Sequence, residues 1–362
     1  MGAILTVSFL LVTSLAGILH PTYIAPLLRA SGIFNQVTPL HNEHCTLVPE
    51  LEGCEKIVLH EDTSILYLAC SRISNRMAWL PTGDNLNATG RAEDDYIATY
   101  SVDTGKIKRF KLRNFDVERG LSVHGMDVVR SSSDPSKLYF YLVNHRKPLS
   151  GDARVIGADS VIEIFETKQG SDILQHVKTF QDSVIIVTPN DIVGATDGTA
   201  FWFTNDHGAR TGLSRVAEAY LKRAYTSVGY CHIDEGCKFA ARNLHGANGI
   251  AKSRSNDTFY VGSAKGSGIQ VFEKQADNTL AWIETIETFG KPLDNLSVDS
   301  NEALWAAMFP RGFDMLNRFK NTRITVPSGA IRVTQNTDER AYSGEKYKVE
   351  KVTVRRSYTS VA

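Results

Sequence analysis

Asn190–Asp206 reads NDIVGATDGTAFWFTND. A polar residue opens it, a short apolar run follows, Asp-Gly marks a turn, and an aromatic, β-branched stretch closes it. The same order recurs from Glu55 (EKIVLHEDTSILYLACS), His124 (HGMDVVRSSSDPSKLYFYLVNH), Asn248 (NGIAKSRSNDTFYVGS) and Asp294 (DNLSVDSNEALWAAM). Successive openings lie 69, 66, 58 and 46 residues apart. Repeats near the length of a four-stranded blade predict an all-β chain folded as a radial β-propeller. Equivalent positions of such a ring converge, so Glu55, His124, Asn190, Asn248, Asp294 and its neighbour Asn295 gather around one axis.

The segments between the openings read as outer strands. VIEIFETKQGSDILQHVKTF from Val161 and GIQVFEKQADNTLAWIETIE from Gly268 are each an alternating strand, a polar turn and a second strand. Their phenylalanines, Phe165 and Phe272, are 107 residues apart, a distance of two blades. YIATYSVDTGKIKRFKL from Tyr96 is a third example, and GAIRVTQ from Gly329 begins a fourth. One segment has helical period: Leu213, Val216, Ala217, Tyr220, Leu221 and Ala224 share a face. It predicts a lid helix packed apolar side down on one end of the propeller. No sixth copy of the opening follows, so the last blade is expected to be incomplete at the C-terminus.

Forty acidic residues balance forty basic ones, and no basic cluster is interleaved with aromatics. Nucleic acid is therefore not an expected partner. Ala3–Leu19 is an uncharged run with no Lys or Arg before Arg29. Residues 1–30 read as a hydrophobic signal peptide or signal anchor, which allows association with a membrane or lipid surface, and residues 40–362 as a single propeller domain. The destination is the secretory pathway, with the chain secreted or held by an uncleaved N-terminus. Five cysteines fit one or two disulfides there. Cys231 and Cys237 can bridge a short loop, and Cys45 can pair with Cys54 or Cys70. Asn87 and Asn256 open glycosylation acceptors; Asn295 fits the same rule but is placed inside the tunnel.

Calcium takes six to eight oxygens from carboxylates, amides and carbonyls. Glu55, Asn190, Asn248, Asp294 and Asn295 supply such donors from four repeats. Any one alone reads as a turn or cap residue; four openings in register make a metal set. His124 opens the remaining repeat and His145 closes it, so the two can meet at the tunnel mouth. A histidine oriented by another there can take a proton from water near neutral pH. His207, in TNDHG, is within reach of the same mouth.

GCEKIVL, HGMDVV, YLVNH, TPNDIV, TNDH, GANGI and LDNLSVD, in this order, resemble the serum paraoxonase/arylesterase family over roughly Cys45 to Gly312. The resemblance implies a secreted, calcium-dependent, six-bladed propeller that hydrolyses lactones and aryl esters. It implies that Glu55, Asn190, Asn248, Asp294 and Asn295 hold the catalytic calcium, and that His124 and His145 form the proton-transfer dyad. Departures are also legible. The family's second, structural calcium uses an Asp beside the catalytic Glu and an Asp after the first Asn. Asp191 is present, but Lys56 stands in the other place. An ammonium pairing with Asp191 would replace that ion, so one calcium is expected rather than two. Phe309 replaces a histidine of the animal enzymes, and the family's disulfide to a C-terminal Cys has no partner after Cys237. The rival class is a non-catalytic or degenerate secreted propeller acting as a binding module. A strictosidine-synthase-like propeller would lack this metal set.

Overall fold

The structure is a computed structural model that describes residues 17, 20 and 24–355, except 91–93, 221–223, 322 and 338–345. The run Ala3–Leu19 therefore lies, but for Gly17, outside the described residues. Five sheets of four or more strands form the blades. Blade 1 comprises Lys56–His60, Ile65–Cys70, Tyr96–Ser101 and Ile107–Arg109. In blade 2 the strands are Val123–Arg130, Lys137–Arg146, Asp159–Lys168 and Ile173–Phe180, with Lys111–Arg113 added in parallel at the outer edge. Blade 3 runs Pro189–Gly194, Ala200–Asn205, Thr226–His232 and Gly236–Leu244. Blade 4 follows with Ala247–Lys252, Thr258–Ser263, Ile269–Lys274 and Leu280–Ile286. Blade 5 ends the series with Leu293–Val298, Leu304–Met308, Ser328–Gln335 and Tyr347–Arg355. Within each blade the four strands form an antiparallel meander, as the hairpin turns between alternating segments require.

The apolar faces meet between blades. Tyr67, Ile97, Met126 and Phe140 join blades 1 and 2. Tyr141, Ile162, Phe201 and Phe203 join 2 and 3. Trp202, Val228, Phe259 and Phe272 join 3 and 4, and Ile269, Val271, Leu296 and Ile331 join 4 and 5. Blades 5 and 1 meet differently, through polar groups at the inner ends. Asn295 Nδ2 donates to Glu55 O at 2.7 Å, Lys56 Nζ to Leu296 O at 3.3 Å, and Ser300 N to Glu61 Oε1 at 3.0 Å. Farther along blade 1's inner strand, Ile57 and Leu59 are exposed.

Three expectations are corrected here. The described ring has five blades rather than six, and its last blade is complete. Tyr347–Arg355 pairs along the whole of Ser328–Gln335, and Leu40 bridges to Val354 beyond it. The lid helix exists, as Gly212–Tyr220, but with the opposite face down. Leu213 is 88% exposed and Val216 points outward, while Arg215 and Glu218 are buried. Arg215 pairs with Asp84 and donates to the carbonyls of Pro81 (2.8 Å) and Thr82 (3.1 Å). Glu218 accepts from Gly208 N at 3.0 Å. Fixed carbonyls beneath the helix reward a guanidinium more than an apolar side chain. The lid is thus riveted to the segment after blade 1's second strand by charge.

Candidate active site

The inner strands of blades 2 to 5 share one irregularity. Each carries one extra residue against its neighbour, between Val123 and Met126, Pro189 and Ile192, Ala247 and Ile250, and Leu293 and Leu296. A bulge of this kind bends the strand and re-aims the side chains within it. The bulges hold His124-Gly125, Asn190-Asp191, Asn248-Gly249 and Asp294-Asn295. Blade 1 contributes Glu55 just before its strand, with Glu55 N bonded to Ala69 O at 2.9 Å. The Cys54–Cys70 disulfide lies beside it. Four of the five polar repeat openings therefore sit where the ladder is broken, and Glu55 sits just ahead of the first ladder. Gly125 and Gly249 let adjacent inner strands approach. A Cβ at Gly125 would stand 2.3 Å from Asn190 O, and one at Gly249 would stand 2.4 Å from Asp294 O.

His124 Nε2 lies 3.2 Å from Asn190 Nδ2 and 3.6 Å from Glu55 Oε1. Asn190 Nδ2 also reaches Asp206 Oδ2 at 3.4 Å. The His124 and His145 rings are 5.3 Å apart between centroids, inclined at 58°. His145 Nδ1 is 2.8 Å from Ser160 Oγ, and Trp79 Nε1 donates to His145 O at 2.7 Å. His124 Nδ1 and His145 Nε2 are buried with no hydrogen-bond partner among the described residues. Burial holds the His124 pKa below the ordinary imidazole value, against the pull of Glu55. Burial and the neighbouring His124 push His145 well below it. Both rings are thus neutral near pH 7, the state in which a histidine accepts a proton. A water-sized space of about 10 Å³ beside His145 is lined by Ser160, Thr188, Pro81 and Arg215, among others.

Lys56 Nζ pairs with Asp191 Oδ2 at 2.6 Å, with the side chains 7% and 0% exposed. This is the arrangement read from the departure at Lys56, an ammonium against Asp191. Asp191 Oδ2 also accepts from Ile250 N at 3.0 Å. The pair therefore ties together groups from blades 1, 3, 4 and 5.

Among the described residues no three His, Cys, Asp or Glu side chains cluster as a metal site. A cation here would have to draw on the asparagine amides as well as carboxylates, as a hard ion can. Two observations test that fit. Asn248 Oδ1 is buried without a partner among the described residues. Asp294 has its pKa raised to about 8, first by burial and then by Glu55 and Asp191, so its carboxylate favours a nearby positive charge. Both fit a calcium ion held by oxygen donors. Glu55 differs. Burial would raise its pKa, but His124, Arg76 and Lys56 outweigh that and hold the carboxyl below its ordinary value.

Glu55, His124, His145 and Asn190 come together, Asn295 reaches Glu55 O, and Asn248 and Asp294 occupy the equivalent bulges of blades 4 and 5. His207 reaches the site through Asp206, whose Oδ1 it contacts at 2.9 Å. Burial opposes ionisation of Asp206, but His207 and Arg215 keep it well below the ordinary range. Three participants were missed. Arg76, on the helix Ile73–Ala78, donates through Nη1 to Glu55 Oε2 at 2.9 Å. Ser160 and Asp206 are the others. A signal for Asp206 was available: blade 2's second strand leads into Asn144-His145 and blade 3's into Asn205-Asp206. Both asparagines are buried and brace the approach to an inner strand. Asn144 Oδ1 accepts from Ser122 N at 2.8 Å, and Asn205 Oδ1 from Thr188 N at 2.9 Å. The cysteines also fall differently from one expectation: Cys231 pairs with Cys237, but Cys54 pairs with Cys70, leaving Cys45 free and exposed.

A ring of blades is what the motif order promised. The chain belongs to the arylesterase family, whose pattern matches residues 36–359. It is 26% identical to serum paraoxonase/arylesterase 1 of Rattus norvegicus over 294 residues, 77% of this chain and 73% of that protein. Its identity to serum paraoxonase/arylesterase 1 of Homo sapiens is 27% over 286 residues, 76% and 72% of the two chains. Among solved structures, the periplasmic gluconolactonase of Pseudomonas aeruginosa matches with a TM-score of 0.43 at 10% identity, over 83% of this chain and 71% of that one.

Proposed function

We propose that this chain is a calcium-dependent hydrolase of carboxylic esters, with lactones and aryl esters as its substrates. The observation that carries this reading is the placement of His124 between Glu55 and Asn190 and beside His145, with Asn248, Asp294 and Asn295 on the equivalent bulges. Glu55, Asn190, Asn248, Asp294 and Asn295 would hold one calcium ion, which when bound supplies positive charge for the developing oxyanion. His124 takes a proton from the attacking water, and His145 accepts or returns it through the facing ring. Ser160 fixes the His145 ring from the far side. Lys56 fills the role of a second cation beside Asp191, so one calcium binds rather than two. A lactone suits this site because its leaving alcohol stays tethered to the acyl group.

Family membership supports the hydrolytic chemistry. The rat and human relatives carry "serum" in their names, and two disulfides suit an oxidising compartment. We therefore assign the chain to the secretory pathway, with Asn87, exposed beside a turn, as a glycan acceptor. Among the described residues no helix is long and apolar enough to cross a membrane. Lipid-surface association would rest on the N-terminal run and on the outward Leu213 and Val216. The test of function is hydrolysis of phenyl acetate and a γ-lactone with and without a calcium chelator. Turnover abolished by the chelator and restored by calcium is expected; turnover indifferent to it would sink the metal reading, and none under any condition would favour the non-catalytic propeller. One observation leans toward that rival: a protein cation, Arg76, already holds Glu55.

A further inference from the structure

Arg76 is the group the proposed reaction leaves unexplained. Its backbone is fixed: Asn85 Nδ2 donates to Arg76 O at 3.0 Å, Ile73 N donates to Glu52 Oε1 at 2.8 Å, and Asn75 Nδ2 donates to Asp94 Oδ1 at 2.5 Å. Its side chain is engaged on one side only. Nη1 is bonded to Glu55 Oε2, whereas Nε and Nη2 are buried with no partner among the described residues. A guanidinium satisfied by a single carboxylate oxygen, with its other donors dry, is poorly anchored at its tip. The equivalent bulges of blades 4 and 5 hold Asn248, whose Oδ1 has no partner among the described residues, and Asp294. Glu55 is thus paired with a protein cation, whereas Asp294 has no ion pair among the described residues.

We propose that Arg76 is a resident counter-ion of the metal pocket, holding Glu55 when no metal is bound and yielding it when a divalent cation enters. The inference rests on the calcium reading above and adds what sets the affinity. Calcium must take Glu55 from Arg76 and remain beside a displaced positive charge, so wild-type binding is weakened by this one side chain. Lys56 makes the contrast. It is locked by Asp191, Leu296 O and deep burial, and acts as a permanent substitute for a cation. Arg76 is a replaceable one. It also predicts that the metal-free protein stays folded, because Glu55 is never left buried and unpaired.

The test is calcium titration of the full chain by calorimetry, paired with thermal unfolding in chelator and in calcium. Arg76→Gln should tighten calcium about tenfold or more, the effect of removing one positive charge a few Å from a divalent ion at a partly screened site. It should also lower the melting temperature in chelator and enlarge the rise on adding calcium, since a tighter ligand stabilises more by mass action. Arg76→Met makes the same test should the glutamine variant not fold. Asp294→Asn should weaken binding in both backgrounds, tying the signal to this pocket. Equal or weaker calcium binding by both Arg76 variants than by wild type would overturn the counter-ion role and leave the calcium reading standing. No binding by wild type or by either variant would overturn both.

Discussion

The ion pair of Lys56 and Asp191 makes the most demanding prediction. Replacing Lys56 with Met keeps the side chain's length and removes its charge. Asp191 is then left fully buried, with Oδ1 already unpartnered and Oδ2 retaining only Ile250 N. Removing one partner of a buried pair typically costs about 3–5 kcal/mol, and burial this complete leaves little solvent to soften it. At about 2.1 cal/mol/K of unfolding entropy per residue, a 362-residue chain loses roughly 4–7 °C in melting temperature for that penalty. The assay is thermal unfolding at pH 7, followed by circular dichroism. The double variant Lys56→Met, Asp191→Asn should recover most of the loss, because a neutral amide replaces the stranded carboxylate. Lys56→Asp should instead become calcium-responsive, since it sets a second carboxylate beside Asp191. A Lys56→Met protein that melts with wild type, or a double variant no better than the single, would refute the view that this pair clamps the ring.

Gly125→Ala should lower stability by about 1–3 kcal/mol or more, because its Cβ meets the backbone oxygen and Cα of the next inner strand, which cannot swing aside; denaturant titration would read it. His124→Gln should reduce ester turnover by about 10²–10⁴ with folding intact, the usual worth of a general base, and unchanged turnover would reassign the base. The His145 pKa is held well below its ordinary value, so below about pH 6.5 the unfolded chain binds a proton that the folded one refuses. Stability should therefore fall as pH drops through that range, and His145→Gln should flatten the slope; equal slopes in both proteins would count against a buried neutral ring.

Much of this site could be read from the chain because its residues occupy one structural position repeated. Once Glu55, His124, Asn190, Asn248 and Asp294 are aligned as openings, a ring leaves them nowhere to go but the axis. The five openings also match the five blades; the expectation of a sixth came from the resemblance. What escaped was set by partners far away in sequence. The period of Leu213 and Val216 marks two helix faces but does not say which lies down. That choice belongs to carbonyls at Pro81 and Thr82, which reward Arg215. Arg76 looks like any charged residue of a short helix until Glu55 is found 2.9 Å away. Cys45 sits at a plausible spacing, yet Cys70 closes the strand that runs back to Cys54, and pairing follows space.

The repeated bulge has a consequence for how such a centre can change. Each extra residue is outside the ladder, so the polar side chain that opens the bulge is aimed at the axis without taking a place in the regular pairing of the sheet that carries it. The ring then works as a set of sockets, a histidine in one and amides or carboxylates in others, on a frame whose spacing stays the same. Lys56, at the first position of blade 1's ladder, is held differently: it spans the axis, and substitution there is felt by every blade it touches.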